Sequence, residues 1–273
     1  MYDLKKLHPI SIGDLIRIGN DADGGYVISK QQIEKTELLL SFGINDDWSF
    51  ESDFLQKKNV KLYAFDHSVS DKIFKYRSSL DFKMMLANAL MFRISKAKWY
   101  NRSYHYLLRI SKDFKQFFQE KSHRFFIQKF LGEKDNEIFT RFDTFFSNLP
   151  NIKELSVFIK MDIENWEYRT LPQIIPFFDK INGMVIEFHE LDIVGEKFEE
   201  IINLLSVQFY IAHIHANNFG ELIYNTNLPK VLEITFINKA MLSDTVMLST
   251  YKYPIQKLDF PNNKTQDDIV LDF

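Results

Sequence analysis

The sequence contains no cysteine, so disulfides, thiolate metal sites and cysteine nucleophiles are all excluded. No run approaches the roughly 18 consecutive apolar residues of a membrane span, and the first residues, MYDLKKLHPISIG, lack the apolar core of a secretion signal. The formal net charge of −3 provides no general attraction to nucleic acid. We therefore expect a cytoplasmic protein without a transmembrane segment or a nucleic-acid partner.

Glycine and proline are also scarce, with 9 and 7 residues in a chain of 273. Hydrophobic residues make up 45% of the chain, and its 27 phenylalanines can fill a large core, which excludes disorder. The length fits a single domain spanning 1–273. Scarce glycine and proline, together with abundant Lys, Asn, Ile and Phe, favour a bacterial source with an A·T-rich genome. The sequence leaves open whether the protein forms a homo-oligomer.

The stretch SVFIKMDIENWEY, residues 156–168, predicts the central strand of a mostly parallel sheet. Its apolar run from Val157 to Met161 is interrupted by one lysine, a pattern typical of a strand buried on both faces. Asp162 and Glu164 follow where the chain leaves the sheet. Because open α/β sheets bind ligands beyond the carboxyl ends of their strands, both carboxylates are candidates for chemistry.

Earlier in the chain, a strand at Leu38–Phe42, a turn at Gly43 and a second strand at Val60–Asp66 predict the first unit of a nucleotide-binding sheet. One glycine stands where a dinucleotide fingerprint has three, which argues against a pyrophosphate cradle. Asp66 ends the second strand, where a carboxylate can accept hydrogen bonds from ribose hydroxyls, and His67 is adjacent. Capping of the next helix is the alternative role for Asp66.

Further strands carry polar side chains at their ends. The stretch LIRIGNDADGGYVIS at Leu15–Ser29 predicts a β-hairpin. The remaining strands of the sheet are predicted at Phe125–Leu131, Gly183–His189, Phe209–Asn218 and Val231–Ile237, and an amphipathic helix at Glu196–Leu205. The polar residues at two of these strand ends are Glu187, His189, His213, His215, Asn217 and Asn218.

Residues 71–124 differ from the rest of the chain in composition. They contain thirteen Lys or Arg against four Asp or Glu, and many aromatic side chains. Their helical spacing predicts two or three helices inserted after the second strand. Three interpretations stay open: a helical cap with a solvated basic face, a lid that attracts an anionic substrate, and peripheral contact with acidic lipid.

In order along the chain, the phrases DADGGYV, KMDIENWEY, EFH, HIHANN and KYPIQKLDFPNN resemble the FkbM family of S-adenosylmethionine-dependent methyltransferases. The resemblance covers nearly the whole chain apart from residues 71–124. It implies a class I methyltransferase (Rossmann-like) α/β fold, with a seven-stranded mostly parallel sheet, helices on both faces and a helical insertion at 71–124. It also implies methyl transfer to oxygen, on a sugar or glycan-related acceptor such as a surface polysaccharide precursor. Two departures are Asn165, where the family has glycine, and SFGIND in place of an acidic G-x-G turn.

Under this resemblance each polar strand end has an expected role. The residues expected to bind the cofactor, S-adenosylmethionine, are Gly43, Asn45, Asp46, Asp66, His67 and Asp162. The expected catalytic residues are His189, His215, Asp162 and Glu164. The two histidines are the expected bases, because free histidine titrates near pH ~6.5. The residues expected to bind the acceptor are Glu187, Asn217, Asn218 and Tyr26.

The same strand ends also suit a divalent metal, which carboxylates and imidazoles bind well. The expected metal ligands are Asp162, Glu187, His189 and His215. A metal-dependent hydrolase or glycosyltransferase is therefore the rival class, and a binding protein without turnover is a third. The basic segment at 71–124 favours an anionic acceptor, phosphorylated or nucleotide-linked, whose identity the sequence does not give.

Overall fold

The computed structural model describes residues 4–119, 123–224, 226, 228–243 and 245–273, so residues 120–122 of the predicted insertion lie outside the described residues. The strands are β1 (Leu15–Ile18), β2 (Tyr26–Ser29), β3 (Leu38–Phe42), β4 (Lys61–Phe65), β5 (Arg124–Ile127), β6 (Phe130–Leu131), β7 (Phe139–Thr140), β8 (Val157–Met161), β9 (Ile181–Phe188), β10 (Phe209–Ala216) and β11 (Leu232–Asn238). The α-helices are α1 (Lys30–Lys35), α2 (Ser49–Lys57), α3 (Asp71–Leu90), α4 (Ile94–Gln119), α5 (Phe142–Ser147), α6 (Glu167–Thr170) and α7 (Leu191–Leu205). Short 3-10 turns lie at Leu4–Leu7, Leu171–Gln173, Ile175–Phe177 and Lys239–Met241.

Seven of the strands form one sheet in the order β10-β11-β9-β8-β3-β4-β5. Neighbours pair in parallel except around β11, which runs antiparallel to both β9 and β10. This order, with the last strand of the chain antiparallel and one place from the edge, is that of a class I methyltransferase sheet. The predicted fold is confirmed, and the predicted β-hairpin is present as the antiparallel pair β1-β2.

The central strands are apolar on both faces because each face packs against its own core cluster. Leu38, Leu40 and Phe42 of β3 belong to one core cluster together with residues of α5 and α7, whereas Leu39 belongs to the cluster that contains residues of α2. Successive strand side chains point to opposite faces, so each face of the sheet buries its own set. Phe158 of β8 likewise faces away from its neighbours in sequence.

The predicted insertion forms two long helices, α3 and α4, which pack against each other between β4 and β5. We call residues 71–119 the helical arm. Its base is anchored by Phe74, Phe114 and Phe117, which are buried in the second core cluster. Among the described residues, no helix combines the length and the apolar character needed to cross a membrane.

One predicted strand is shorter than expected. The strand predicted at Phe125–Leu131 ends at Ile127, because the amide of Lys129 donates to the Ile127 carbonyl at 2.8 Å and turns the chain. The continuation at β6 pairs with β7 in a separate two-stranded sheet.

Helix α6 is a single turn, because Pro172 and Pro176 restrict the following residues to 3-10 turns. The helix expected from Glu196 begins earlier, at Leu191, with irregular backbone at Val194.

Candidate functional site

A cavity of about 690 Å³ lies at the carboxyl edge of the parallel strands. Its volume is within the roughly 300 to 1,000 Å³ typical of small-molecule sites. The strand ends supply most of its wall because parallel strands all deliver their next residue to the same edge. The residues lining it are Asp23, Phe42, Gly43, Asn45, Phe65, Asp66, Ser68, Lys129, Phe130, Leu131, Asp162, Ile163, Glu164, Trp166, Glu187, His189, Asn217, Phe219, Gly220 and Val231.

His189 lies at the centre of the charged part of this wall. Its Nε2 atom is 3.7 Å from Asp162, 3.8 Å from Glu164 and 3.6 Å from Glu187. Its Nδ1 atom is 3.0 Å from Oε1 of Glu167, which is fully buried. Side chains from the end of β9 and from the residues after β8 therefore meet around this ring.

The surroundings of His189 change the expected chemistry of its ring. Burial alone would lower the pKa of His189, but the hydrogen bond with Glu167 and the charge of Glu187 raise it to about 9. The imidazole is therefore protonated at neutral pH. This corrects the expectation of a histidine base near pH 6.5, because the sequence did not show how many carboxylates face the ring.

Glu187 is a buried carboxylate that also lies beside His189. Its Oε1 accepts a hydrogen bond from Asn217 at 2.8 Å, and its Oε2 accepts one from the Tyr26 hydroxyl at 3.1 Å. Burial and the nearby charge of Asp162 raise the pKa of Glu187 well above its usual value. A carboxylate with a raised pKa is a stronger base, so Glu187 suits general-base chemistry at the cavity wall.

Asp66 lines the cavity and also organises the loop after β3. Its Oδ2 accepts from the amides of Ile44 and Asn45 at 3.1 and 2.9 Å, while its Oδ1 accepts from the amide and hydroxyl of Ser68. The predicted alternative role, capping of the next helix, is wrong, because Ser70 is the N-cap of α3 and accepts a hydrogen bond from the amide of Ile73. The ribose role stays a prediction.

The turn after β3 requires glycine at position 43, for a reason that the sequence did not reveal. The φ of Gly43 is +75°, and an added Cβ would lie 1.6 Å from the Asp162 carbonyl oxygen. Only glycine allows the ends of β3 and β8 to approach this closely. The carbonyl of Gly43 accepts a hydrogen bond from Nζ of Lys160, a buried lysine that also lies 3.7 Å from Asp162.

Several predicted site residues lie behind the cavity wall. His215 is buried, with Nδ1 3.0 Å from Glu233 and Nε2 3.1 Å from Asp268. Both ring nitrogens are engaged, so the expected role of His215 as a base or as a metal ligand beside His189 is corrected. Asn218 bonds backbone carbonyls of residues 263, 266 and 267.

Tyr26, Asp46 and His67 are also absent from the cavity lining. Tyr26 supports Glu187 from behind, and its hydroxyl lies 3.5 Å from Asp162. Asp46 accepts a hydrogen bond from the Tyr106 hydroxyl of the helical arm at 2.9 Å, and His67 stacks on Phe130. Tyr26 and His67 thus contact wall residues and Asp46 contacts the arm, whereas the sequence predicted direct contact of all three with ligands.

Within the described residues, two groups have a geometry that suits a metal ion. Asp162, Glu164 and His189 each offer a ligand atom within 4.8 Å of the others, and so do Asp23, Glu187 and Glu233. Of the predicted ligands, Asp162 and His189 belong to the first group, Glu187 belongs to the second, and His215 belongs to neither.

Sequence reasoning missed several ionisable residues that shape this site, among them Lys160, Glu233 and Glu167. Lys160 and Glu233 each interrupt a buried strand, and such an interruption is the signal that could have identified them. Glu167 gave no such signal, because one acidic residue at a helix start is ordinary.

No family model matches this chain, and no curated protein sequence matches it. Among solved structures, it is similar to the fibrillarin pre-rRNA processing protein of Methanococcus jannaschii, with 11% identity, 87% of this chain and 84% of that chain covered, and a TM-score of 0.37. It is also similar to precorrin-6y C5,15-methyltransferase of Geobacter metallireducens, with 10% identity, 76% and 86% covered, and a TM-score of 0.36. Since both TM-scores are low, the fold assignment rests on the strand order.

Proposed function

We propose that this protein is an S-adenosylmethionine-dependent methyltransferase that methylates a hydroxyl group of a sugar-like small molecule. The observation that carries the proposal is the cavity itself. It lies at the carboxyl edge of a sheet with the class I methyltransferase strand order, and its wall joins an apolar half to a cluster of ionisable groups.

The residues around Gly43 and Asp66 fit the methyl donor. Phe65, Phe130 and Leu131 provide an apolar surface beside Asp66, which suits an adenine ring next to a ribose. All four hydrogen bonds to the Asp66 carboxylate come from local groups, so a ribose would share these oxygens with the loop amides. When bound, S-adenosylmethionine supplies an electrophilic methyl carbon and leaves as a neutral thioether.

The ionisable cluster fits the acceptor side of the reaction. Glu187 would take the proton that the acceptor hydroxyl loses as its oxygen gains a methyl group. The protonated ring of His189 would donate a hydrogen bond that orients the same acceptor. Alignment of this kind supplies about 7 to 11 kcal/mol in favourable cases, and a positioned base adds about 10² to 10⁴ in rate.

The charge of the cavity wall supports a narrower proposal for the acceptor. Five carboxylates line the cavity, against Lys129 and the ring of His189. Such a wall repels anions, so we propose a neutral or amine-bearing sugar. This replaces the phosphorylated acceptor expected from the basic segment, whose charge lies mainly on the helical arm.

Calorimetry with S-adenosylmethionine, followed by an acceptor panel, tests the proposal. The panel contains a neutral sugar, an amino sugar and a sugar phosphate, and methyl transfer is followed by mass spectrometry. We expect donor binding and transfer to the first or second compound. Absence of donor binding would favour the hydrolase or glycosyltransferase alternative, whereas donor binding without transfer to any acceptor would favour a binding protein.

Membership of the FkbM family is part of this proposal and is supported by the sequence phrases that resemble it.

A divalent ion is the competing arrangement at the acceptor side. Asp162, Glu164 and His189 suit such an ion, since Glu167 holds Nδ1 of the histidine and leaves Nε2 facing the carboxylates. An ion there would bind acceptor hydroxyls and lower the pKa of one. Transfer that survives exhaustive chelation excludes the ion, and loss of transfer that Mg²⁺ or Mn²⁺ restores would establish it.

A further inference from the structure

The helical arm exposes an apolar tip at the turn between its two helices. We call Leu90, Met91, Phe92 and Ile94 the arm tip. Leu90 is 81% exposed and Phe92 is 87% exposed, although both are large hydrophobic side chains. Isolated exposed apolar residues are common on proteins, but four within five positions form a contiguous patch that normally marks an interaction site.

The arm holds this tip away from the core. The core contacts of the arm involve its base, where Phe74, Phe114 and Phe117 are buried. From Ser78 to Leu90 the first helix rises about 18 Å at 1.5 Å per residue. In the outer half the two helices contact each other, and Asn88 and Ala97 are buried there.

Positive charge extends along the outer arm to the tip. Residues 76–106 contain six Lys or Arg and one Asp, and all six basic side chains are exposed. The one carboxylate, Asp81, accepts a hydrogen bond from Ser103 of the facing helix. The charge near the tip therefore faces solvent without a local acidic counterpart.

We infer that the arm tip inserts into the interface of an anionic lipid bilayer while the surrounding Lys and Arg contact the headgroups. Exposed apolar side chains beside basic residues suit this surface. Burial of the apolar side chains in the bilayer and attraction of the basic side chains to anionic headgroups both favour binding. A second copy of the chain is a poorer occupant, since it would bring the same positive charge to the contact. This inference does not depend on the methyl donor or on the acceptor.

Co-sedimentation of the full chain with lipid vesicles tests the inference. One set of vesicles contains equal parts of phosphatidylglycerol and phosphatidylcholine, and the other contains phosphatidylcholine alone. We expect binding to the first set, weakened by salt. A Leu90→Ser, Phe92→Ser double variant should bind at least about tenfold more weakly, because each substitution removes an apolar side chain that insertion into the bilayer would bury.

The matched control is an Ile193→Ser, Val207→Ser double variant, which removes two equally exposed apolar side chains near the two ends of α7. It should bind vesicles like the unmodified chain, and both variants should keep the same circular dichroism spectrum. A Phe92→Trp variant should show a blue-shifted emission with anionic vesicles only.

Three results would overturn the inference: no vesicle binding by the unmodified chain, equal binding by the tip variant, or equal binding to neutral vesicles. A dimer in sedimentation equilibrium that the tip variant abolishes would also overturn it, in favour of contact between two copies of the chain.

Discussion

His189 is the residue on which the acid–base behaviour of the cavity depends. Its pKa of about 9 means that the ring carries a proton at neutral pH and loses it in alkaline solution. If the protonated ring orients the acceptor, kcat should fall as the pH rises through about 9. We expect His189→Gln to lower kcat by about 10²-fold and to remove this alkaline limb.

The measurement is kcat against pH for both proteins, with His105→Gln as a control on the exposed outer part of the arm. The control should keep the alkaline limb. An unchanged limb in His189→Gln would show that another group titrates there.

Glu187 gives a second prediction at the scale of one residue. Replacing it with Gln keeps the size of the side chain but removes the carboxylate that would accept the proton. We expect kcat to fall by about 10² to 10⁴, while the dissociation constant of S-adenosylmethionine changes little. Calorimetry and steady-state kinetics on the same preparation separate the two effects, and an unchanged kcat would remove Glu187 as the base.

At the scale of secondary-structure elements, the site depends on the close approach of the carboxyl ends of β3 and β8. Gly43→Ala places a Cβ against the Asp162 carbonyl at a φ of +75°. Such a position costs about 1 to 3 kcal/mol in backbone strain alone, so we expect a lower free energy of unfolding and the loss of donor binding. Gly13→Ala is the control, because nothing lies within 4 Å of its added Cβ.

Urea unfolding and calorimetry measure both effects. Full donor binding by Gly43→Ala would show that the strand ends are not part of the donor site.

The elements that the sequence predicted well are those with strong periodicity or clear punctuation. The run from Val157 to Met161 could be assigned to a buried central strand, because apolar residues on both faces leave few alternatives. The break after Ile127 could not be predicted, since it depends on a local backbone hydrogen bond. Contacts between distant segments, such as His189 with Glu167 or His215 with Asp268, have no local signal at all.

At the scale of the whole molecule, His215 links β10 to the last residues of the chain through Asp268. Burial alone would lower the pKa of His215, but the charge of Glu233 and the hydrogen bond with Asp268 raise it to about 10. The folded-state pKa therefore exceeds the unfolded value of about 6.5. Its contribution to stability is fully present below pH ~6.5 and is lost as the pH rises through about 10.

We accordingly expect the free energy of unfolding to decline between neutral pH and pH about 10, and to decline less in His215→Gln. At neutral pH that variant should be less stable by about 3 kcal/mol, because it leaves the buried Glu233 and the partly exposed Asp268 without their partner. Denaturant titrations across this pH range provide the measurement. If the free energies of unfolding of the two proteins changed with pH in the same way, the pH dependence would not come from His215.

The central claim is that the carboxyl-edge cavity binds S-adenosylmethionine, and calorimetry of the intact chain with this compound tests it most directly. We predict binding at one site per chain that Gly43→Ala abolishes and Glu187→Gln retains. No heat of binding with the unmodified chain, or equal binding by Gly43→Ala, would contradict the account.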